Sequence, residues 1–68
     1  MTYLEFKTRV QSELQQAPGG LTWRELKAAA DLPYARACPE WTRCLEADIA
    51  LDRTERRGRA QVWRIIPR

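Results

Sequence analysis

The side chains with the most chemistry in them are arginines. Arg53, Arg56, Arg57 and Arg59 fall within seven residues, with Gly58 among them. A guanidinium stays charged, carries only hydrogen-bond donors and matches phosphate oxygens, so such a cluster suits a polyanion. If it neutralised three or four phosphates of a duplex, binding would fall with salt at a slope of roughly −3, at about −0.9 per phosphate. The competing reading is a solvated turn whose charge protects the edge of a strand.

Covalent and metal chemistry have little to work with. The chain contains no His, the commonest general base and the commonest metal ligand, and its two cysteines, Cys38 and Cys44, form C-x5-C with nothing to complete a zinc site. A helix between them would hold their backbones roughly 9 Å apart, at about 1.5 Å per residue, beyond disulfide reach. Free thiols are expected. Cys38, at the start of a helix, could sense oxidants, but a small packing residue explains it as well. Gly19 and Gly20 lack the spacing of a phosphate loop. No catalytic residue, cofactor, metal or small-molecule substrate is expected, and the chain does not read as an enzyme.

The net charge of +3 is unevenly spread. Residues 1–52 hold six Lys/Arg against eight Asp/Glu, whereas residues 53–68 hold six Arg against Glu55 alone. The positive field therefore lies in the last quarter of the chain. At 68 residues, 44% hydrophobic and 31% charged, the composition is that of one small globular domain over residues 1–68, with three Trp as large units of burial. No apolar run is long enough to span a membrane and the start MTYLEFKTRV has no signal-peptide character, so a cytoplasmic protein is expected.

The elements that must position the arginines follow from local signals. Thr2 and Glu5 have capping-box spacing, and Tyr3, Phe6, Val10, Leu14 and Ala17 recur on one helical face. Glu5, Arg9 and Glu13 stand four apart on another face, and Pro18-Gly19-Gly20 ends the helix. Thr22-Trp23-Arg24-Glu25 repeats the capping box, with Leu21 and Leu26 placed as a hydrophobic staple; Trp23, Leu26 and Ala30 face inward. The segment Pro33 to Pro39 is a turn with room for a further helical turn. Pro39 suits the first position of a third helix, capped by Cys38. Trp41, Leu45 and Ile49, with Cys44 beside them, form its buried stripe, and Arg43, Glu46, Ala47 and Ala50 lie opposite. Asp48, near the stripe, is expected to be partly shielded and paired with an Arg from another element. Leu51–Glu55 and Arg59–Ile66 then form a hairpin around a three-residue loop, Arg56–Gly58, setting Glu55 opposite Arg59, Arg53 opposite Gln61 and Leu51 opposite Trp63. Leu51, Trp63 and Ile65 would face inward.

This order resembles a winged helix-turn-helix domain. The resemblance is carried by Leu21-Thr22-Trp23-Arg24-Glu25-Leu26, by Trp41 with Leu45, by Ile49-Ala50-Leu51, and by Gly58-Arg59 with Val62-Trp63-Arg64, and it covers nearly the whole chain. It implies a mainly α fold, three helices with a two-stranded C-terminal wing, that binds double-stranded DNA with the third helix in the major groove. By position, Thr42, Arg43, Glu46 and Ala47 would face the groove, with Arg36 and Tyr34 at its entrance. Arg56, Arg57 and Arg59, with Arg53, would make the wing contacts. Arg43 suits guanine and Glu46 can accept from cytosine, although the two can equally form a solvated helix pair. One feature departs from the pattern: Pro39 to Asp52 has a single Arg against Glu40, Glu46, Asp48 and Asp52. That balance supports a second reading, a protein-interaction module whose acidic third helix or charged first helix meets a protein partner or a second copy.

Overall fold

The computed structural model describes residues 1–65, which form three helices and a small antiparallel sheet. Ile66, the residue expected to end the last strand, and Pro67 beyond it lie outside the described residues.

Helix α1, Tyr3–Gln15, begins where the Thr2 hydroxyl accepts the Glu5 amide at 3.2 Å, and it buries Phe6, Val10 and Leu14. Arg9 does not join Glu5 and Glu13 in series. Its guanidinium donates to the carbonyls of Ala30 and Asp31, both at 3.4 Å, and so caps the end of the second helix. After α1 the chain makes a tight exit to Gly20, whose φ of +85° is left-handed.

Strand β1, Leu21–Thr22, was not visible in the sequence pattern; it has only two residues and its partner lies some forty positions away. Thr22 then caps helix α2, Trp23–Ala29, with both halves of the capping box in place: its hydroxyl accepts the Glu25 amide at 3.3 Å and its amide donates to Glu25 Oε1 at 2.9 Å. Helix α2 ends with Asp31 at φ +53° and with amide-to-carbonyl bonds from Leu32 to Lys27 and from Asp31 to Ala28. This is the Schellman pattern, with Asp where Gly is usual. No helical turn forms between α2 and helix α3, Pro39–Asp48.

Helix α3 starts with Pro39 in its first turn and Cys38 as the cap residue, whose side chain makes no capping bond. Its inward face differs from the one expected. Thr42, not Cys44, completes the face with Leu45 and Ile49: Thr42 is 2% exposed and Cys44 lies on the surface. The Thr42 hydroxyl is satisfied one turn back, donating to the Cys38 carbonyl at 2.7 Å, so only its methyl group needs an apolar neighbour. Asp48 takes its partners from α1. It accepts from the Tyr3 hydroxyl at 2.7 Å, with Lys7 at 4.0 Å, and the expected arginine is absent from this set. Burial first, then the Asp48 carboxylate, pushes the Tyr3 phenol above its ordinary range.

Ala50, at φ +54°, turns the chain into strand β2, Leu51–Asp52; strand β3, Arg56–Arg57, and strand β4, Ala60–Ile65, follow. Strand β4 pairs with all three short strands: β1 on one side, β2 on the other, and β3 towards its start. The hairpin loop has two residues, Gly58 and Arg59, because Arg57 pairs with Ala60 and Arg56 with Gln61. Gly58 alone takes positive φ there, +65°, the signature of a type II′ turn, which bends with the twist of the strands.

The expected register is therefore corrected. Leu51 faces Ile65 and not Trp63, a shift of two residues, and an even shift keeps each side chain on its expected face. Trp63 is accordingly buried, 2% exposed, opposite Leu21. Towards the tip the offset changes by one residue, because Arg53–Glu55 carries an extra residue. Asp52 stabilises that detour by accepting the Thr54 amide at 2.9 Å and the Thr54 hydroxyl at 2.7 Å.

The core joins Phe6, Val10 and Leu14 of α1 to Leu26, Leu45, Ile49, Leu51 and Trp63. Phe6 is its aromatic centre, with ring centroids 5.0 Å from Trp41, 6.3 Å from Tyr34 and 6.4 Å from Trp23. Tyr34, expected near a groove entrance, packs against this cluster. The tryptophans hold the core, as their spacing on apolar faces suggests.

Candidate nucleic-acid interface

The four hairpin arginines do not act as one group. Arg53 is tied into the fold: its guanidinium meets Glu46 at 3.2 Å and Gln61 Oε1 at 3.4 Å, and lies 5.4 Å from the Trp63 ring centroid. Its Nε is buried and has no hydrogen-bond acceptor among the described residues. Arg53 therefore holds the hairpin arm onto α3 and is not an open wing cation. Arg57 reaches back over α2 to Glu25 at 3.0 Å. Both side chains of that pair are about half exposed, so the bond costs little to exchange for another anion.

Arg56 and Arg59 remain. Both are exposed at the tip, and neither makes an ion pair or side-chain hydrogen bond among the described residues. Arg64, further along β4, is shared between Asp52 at 3.3 Å and Glu55 at 3.5 Å.

On α3 the expected groove-facing set divides as well. Arg43, Glu46 and Ala47 are exposed, as the helical rotation requires, but Thr42 faces the core and is removed from any surface role. Glu46 does not pair with Arg43; its carboxylate is held by Arg53. Of the four carboxylates from Pro39 to Asp52, three have cationic partners, Glu46 with Arg53, Asp48 with Lys7 and Asp52 with Arg64, while Glu40 has none among the described residues. The negative balance of α3 is thus largely neutralised by its neighbours. Arg43 and, in the segment before α3, Arg36 stay exposed and without a carboxylate partner among the described residues.

Two carboxylates are held below the ordinary range. For Glu25 the first cause is the Thr22 amide and the second the Thr22 hydroxyl, with Arg57 a smaller influence. For Asp52 the Thr54 hydroxyl leads, then the Thr54 amide, with Arg64 contributing less. In both cases local turn and cap bonds outweigh the ion pair.

A cleft between α2, the segment before α3 and the hairpin brings Arg36 and Arg53 together with Arg24. Arg24 was missing from the set expected at the interface. Its sequence signal was available: it is the polar neighbour of Trp23 inside the second capping box, which points it outward while Leu26 points in. Cys38 and Cys44 are both free and exposed. Among the described residues, no three His, Cys, Asp or Glu side chains are grouped to hold a metal, and no helix is long and apolar enough to cross a membrane. Comparisons with family models, curated proteins and solved structures return no match.

Proposed function

We propose that this chain is a winged helix-turn-helix domain that binds double-stranded DNA without chemistry of its own. Phosphates would be met by the wing tip and base edges by the exposed face of α3. One observation carries the reading: Arg56 and Arg59 stand at the end of a hairpin whose other arginines are paired with carboxylates, and nothing among the described residues neutralises them. The engagement of Glu46, Asp48 and Asp52 within the fold removes most of the charge objection to an approach by α3.

The test is a salt series of duplex binding by fluorescence anisotropy. Replacing Arg56 and Arg59 together by Ala should reduce the salt slope by about 1.8, at about 0.9 for each phosphate that is no longer neutralised. An unchanged slope would remove the wing from the interface. A second reading, a protein-interaction module, is favoured by Leu4, a large apolar side chain of α1 that is 64% exposed. Apparent mass that rises with concentration in the parent, but not in Leu4→Gln, alongside absent DNA binding, would select it.

A further inference from the structure

Arg24, Arg36 and Arg53 come from three separate elements, the first turn of α2, the segment before α3, and the arm between β2 and β3, yet they line one cleft of about 270 Å³. None of the lining residues is Asp or Glu. The charge of Arg53 is offset by Glu46 at 3.2 Å, so the excess positive charge beside this space comes from Arg24 and Arg36, with no carboxylate residue in its wall to offset it.

The other polar groups of the cleft are largely spent. The Trp23 indole N–H donates to the Ala35 carbonyl at 3.1 Å, the Gln61 amide group donates to the Arg53 carbonyl at 3.3 Å, and the Thr22 hydroxyl is engaged with Glu25. Arg53 is fixed by Glu46 and Trp63 and forms a rigid wall. Arg24 and Arg36 are exposed and have no carboxylate partner among the described residues. What the cleft offers a ligand is therefore N–H donors with full positive charge, about five per guanidinium. The complementary ligand is a compact anion with several acceptor oxygens.

We propose that this cleft is a phosphate-binding site, with Arg24 and Arg36 as the residues that grip the phosphate and Arg53 as the preorganised wall behind it. The phosphate can belong to a DNA backbone or to a free phosphorylated compound. Only the first source rests on the DNA-binding reading. With DNA, the cleft adds an anchor between the helices and the hairpin, independent of Arg56 and Arg59.

Two titrations test it, one with inorganic phosphate and one with a duplex of about 16 base pairs, each followed by NMR of backbone amides and tryptophan indole N–H groups and by anisotropy. The proteins are the parent, R24Q/R36Q, and R24K/R36K as the charge-retaining control; both altered side chains are exposed, and unfolding curves check that each variant folds. Expected are phosphate-dependent shifts at Arg24, Arg36 and the Trp23 indole that vanish in R24Q/R36Q and partly return in R24K/R36K. The Gln variant should also bind duplex roughly tenfold more weakly, with the salt slope smaller by about 0.9. Phosphate shifts in the cleft without duplex binding would uphold the site and refute the DNA-binding reading. Duplex binding unaffected by R24Q/R36Q, with no phosphate shifts in the cleft, would overturn the site and leave the wing reading standing. No response to either titrant would overturn both.

Discussion

The three glycines separate two energetic contributions, backbone strain and steric exclusion. At Gly20 a Cβ would stand 2.4 Å from Val62 Cγ1 and 2.9 Å from the Trp63 carbonyl oxygen, and the backbone has φ +85°. Neither neighbour can yield cheaply: Val62 is 1% exposed, and the carbonyl belongs to β4 beside its pairing with β1. Gly58 has φ +65° but open space, and Gly19 has open space without positive φ. A left-handed conformation costs an L-residue about 1–2 kcal/mol, overpacking costs about 1–3 kcal/mol, and replacing Gly by Ala returns about 0.4–1 kcal/mol through the unfolded chain. The expected order is then Gly19→Ala neutral to slightly stabilising, Gly58→Ala destabilising by about 1 kcal/mol, and Gly20→Ala destabilising by about 2–4 kcal/mol. Total stability at about 0.05–0.15 kcal/mol per residue is about 3–10 kcal/mol for this chain length, so Gly20→Ala should remove a large share of it. Urea unfolding followed by tryptophan fluorescence reads this directly as a fall in midpoint at constant m. If Gly20→Ala lies within about 1 kcal/mol of Gly58→Ala, the close approach of Gly20 to β4 is refuted and strain alone explains both.

Two further predictions address the surfaces and the pH response. Thr42→Val should lower stability by about 1 kcal/mol, through loss of the bond to the Cys38 carbonyl, and leave duplex affinity unchanged, whereas Arg43→Ala should leave stability unchanged and weaken binding; an affinity loss with Thr42→Val at constant stability would contradict the burial of that side chain. Glu25 and Asp52 titrate below the ordinary range in the folded chain, so the stability they contribute is present above the unfolded-state values, about pH 4, and is lost as pH falls towards the folded-state values; Thr54→Val, which removes the leading cause at Asp52, should make the fall in urea midpoint between about pH 5 and about pH 3 shallower.

What could be read in the sequence was whatever depends on neighbours a few residues apart. Both cap threonines, the Pro39 start of α3 and the face of α1 carrying Phe6, Val10 and Leu14 are local bonds or local periodicity, and each is present in the structure. Strand β1 escaped because two residues have no period of their own; they become a strand only when β4 lies beside them. The hairpin register escaped because it depends on an extra residue at Arg53–Glu55 and on an Asp52–Thr54 turn that shares its composition with ordinary strand ends. Thr42 was misplaced by giving the inward face to the more apolar Cys44, although Thr42, Leu45 and Ile49 have helical i, i+3, i+7 spacing. A threonine bonded to the carbonyl one turn back is an acceptable core residue, and polarity alone does not show it.

The candidate site was half legible for a different reason. A charge count along the chain treats every ionised group as facing the same solvent, and on that count α3 repels DNA while four hairpin arginines attract it. In the folded chain Arg53 cancels Glu46, Arg57 cancels Glu25, Arg64 cancels Asp52 and Lys7 approaches Asp48, across separations that no local pattern encodes. The charges left for a partner are those that survive this pairing: Arg56 and Arg59 at the tip, Arg43 on α3, and Arg24 and Arg36 at the cleft. Internal pairing thus withdraws Arg53 from the candidate interface, offsets Arg57 through an exposed bond that another anion can replace, and silences most of the acid on α3. It leaves a positive surface that reaches from the helices to the hairpin, and its strength at any one point is less than the count of arginines implies.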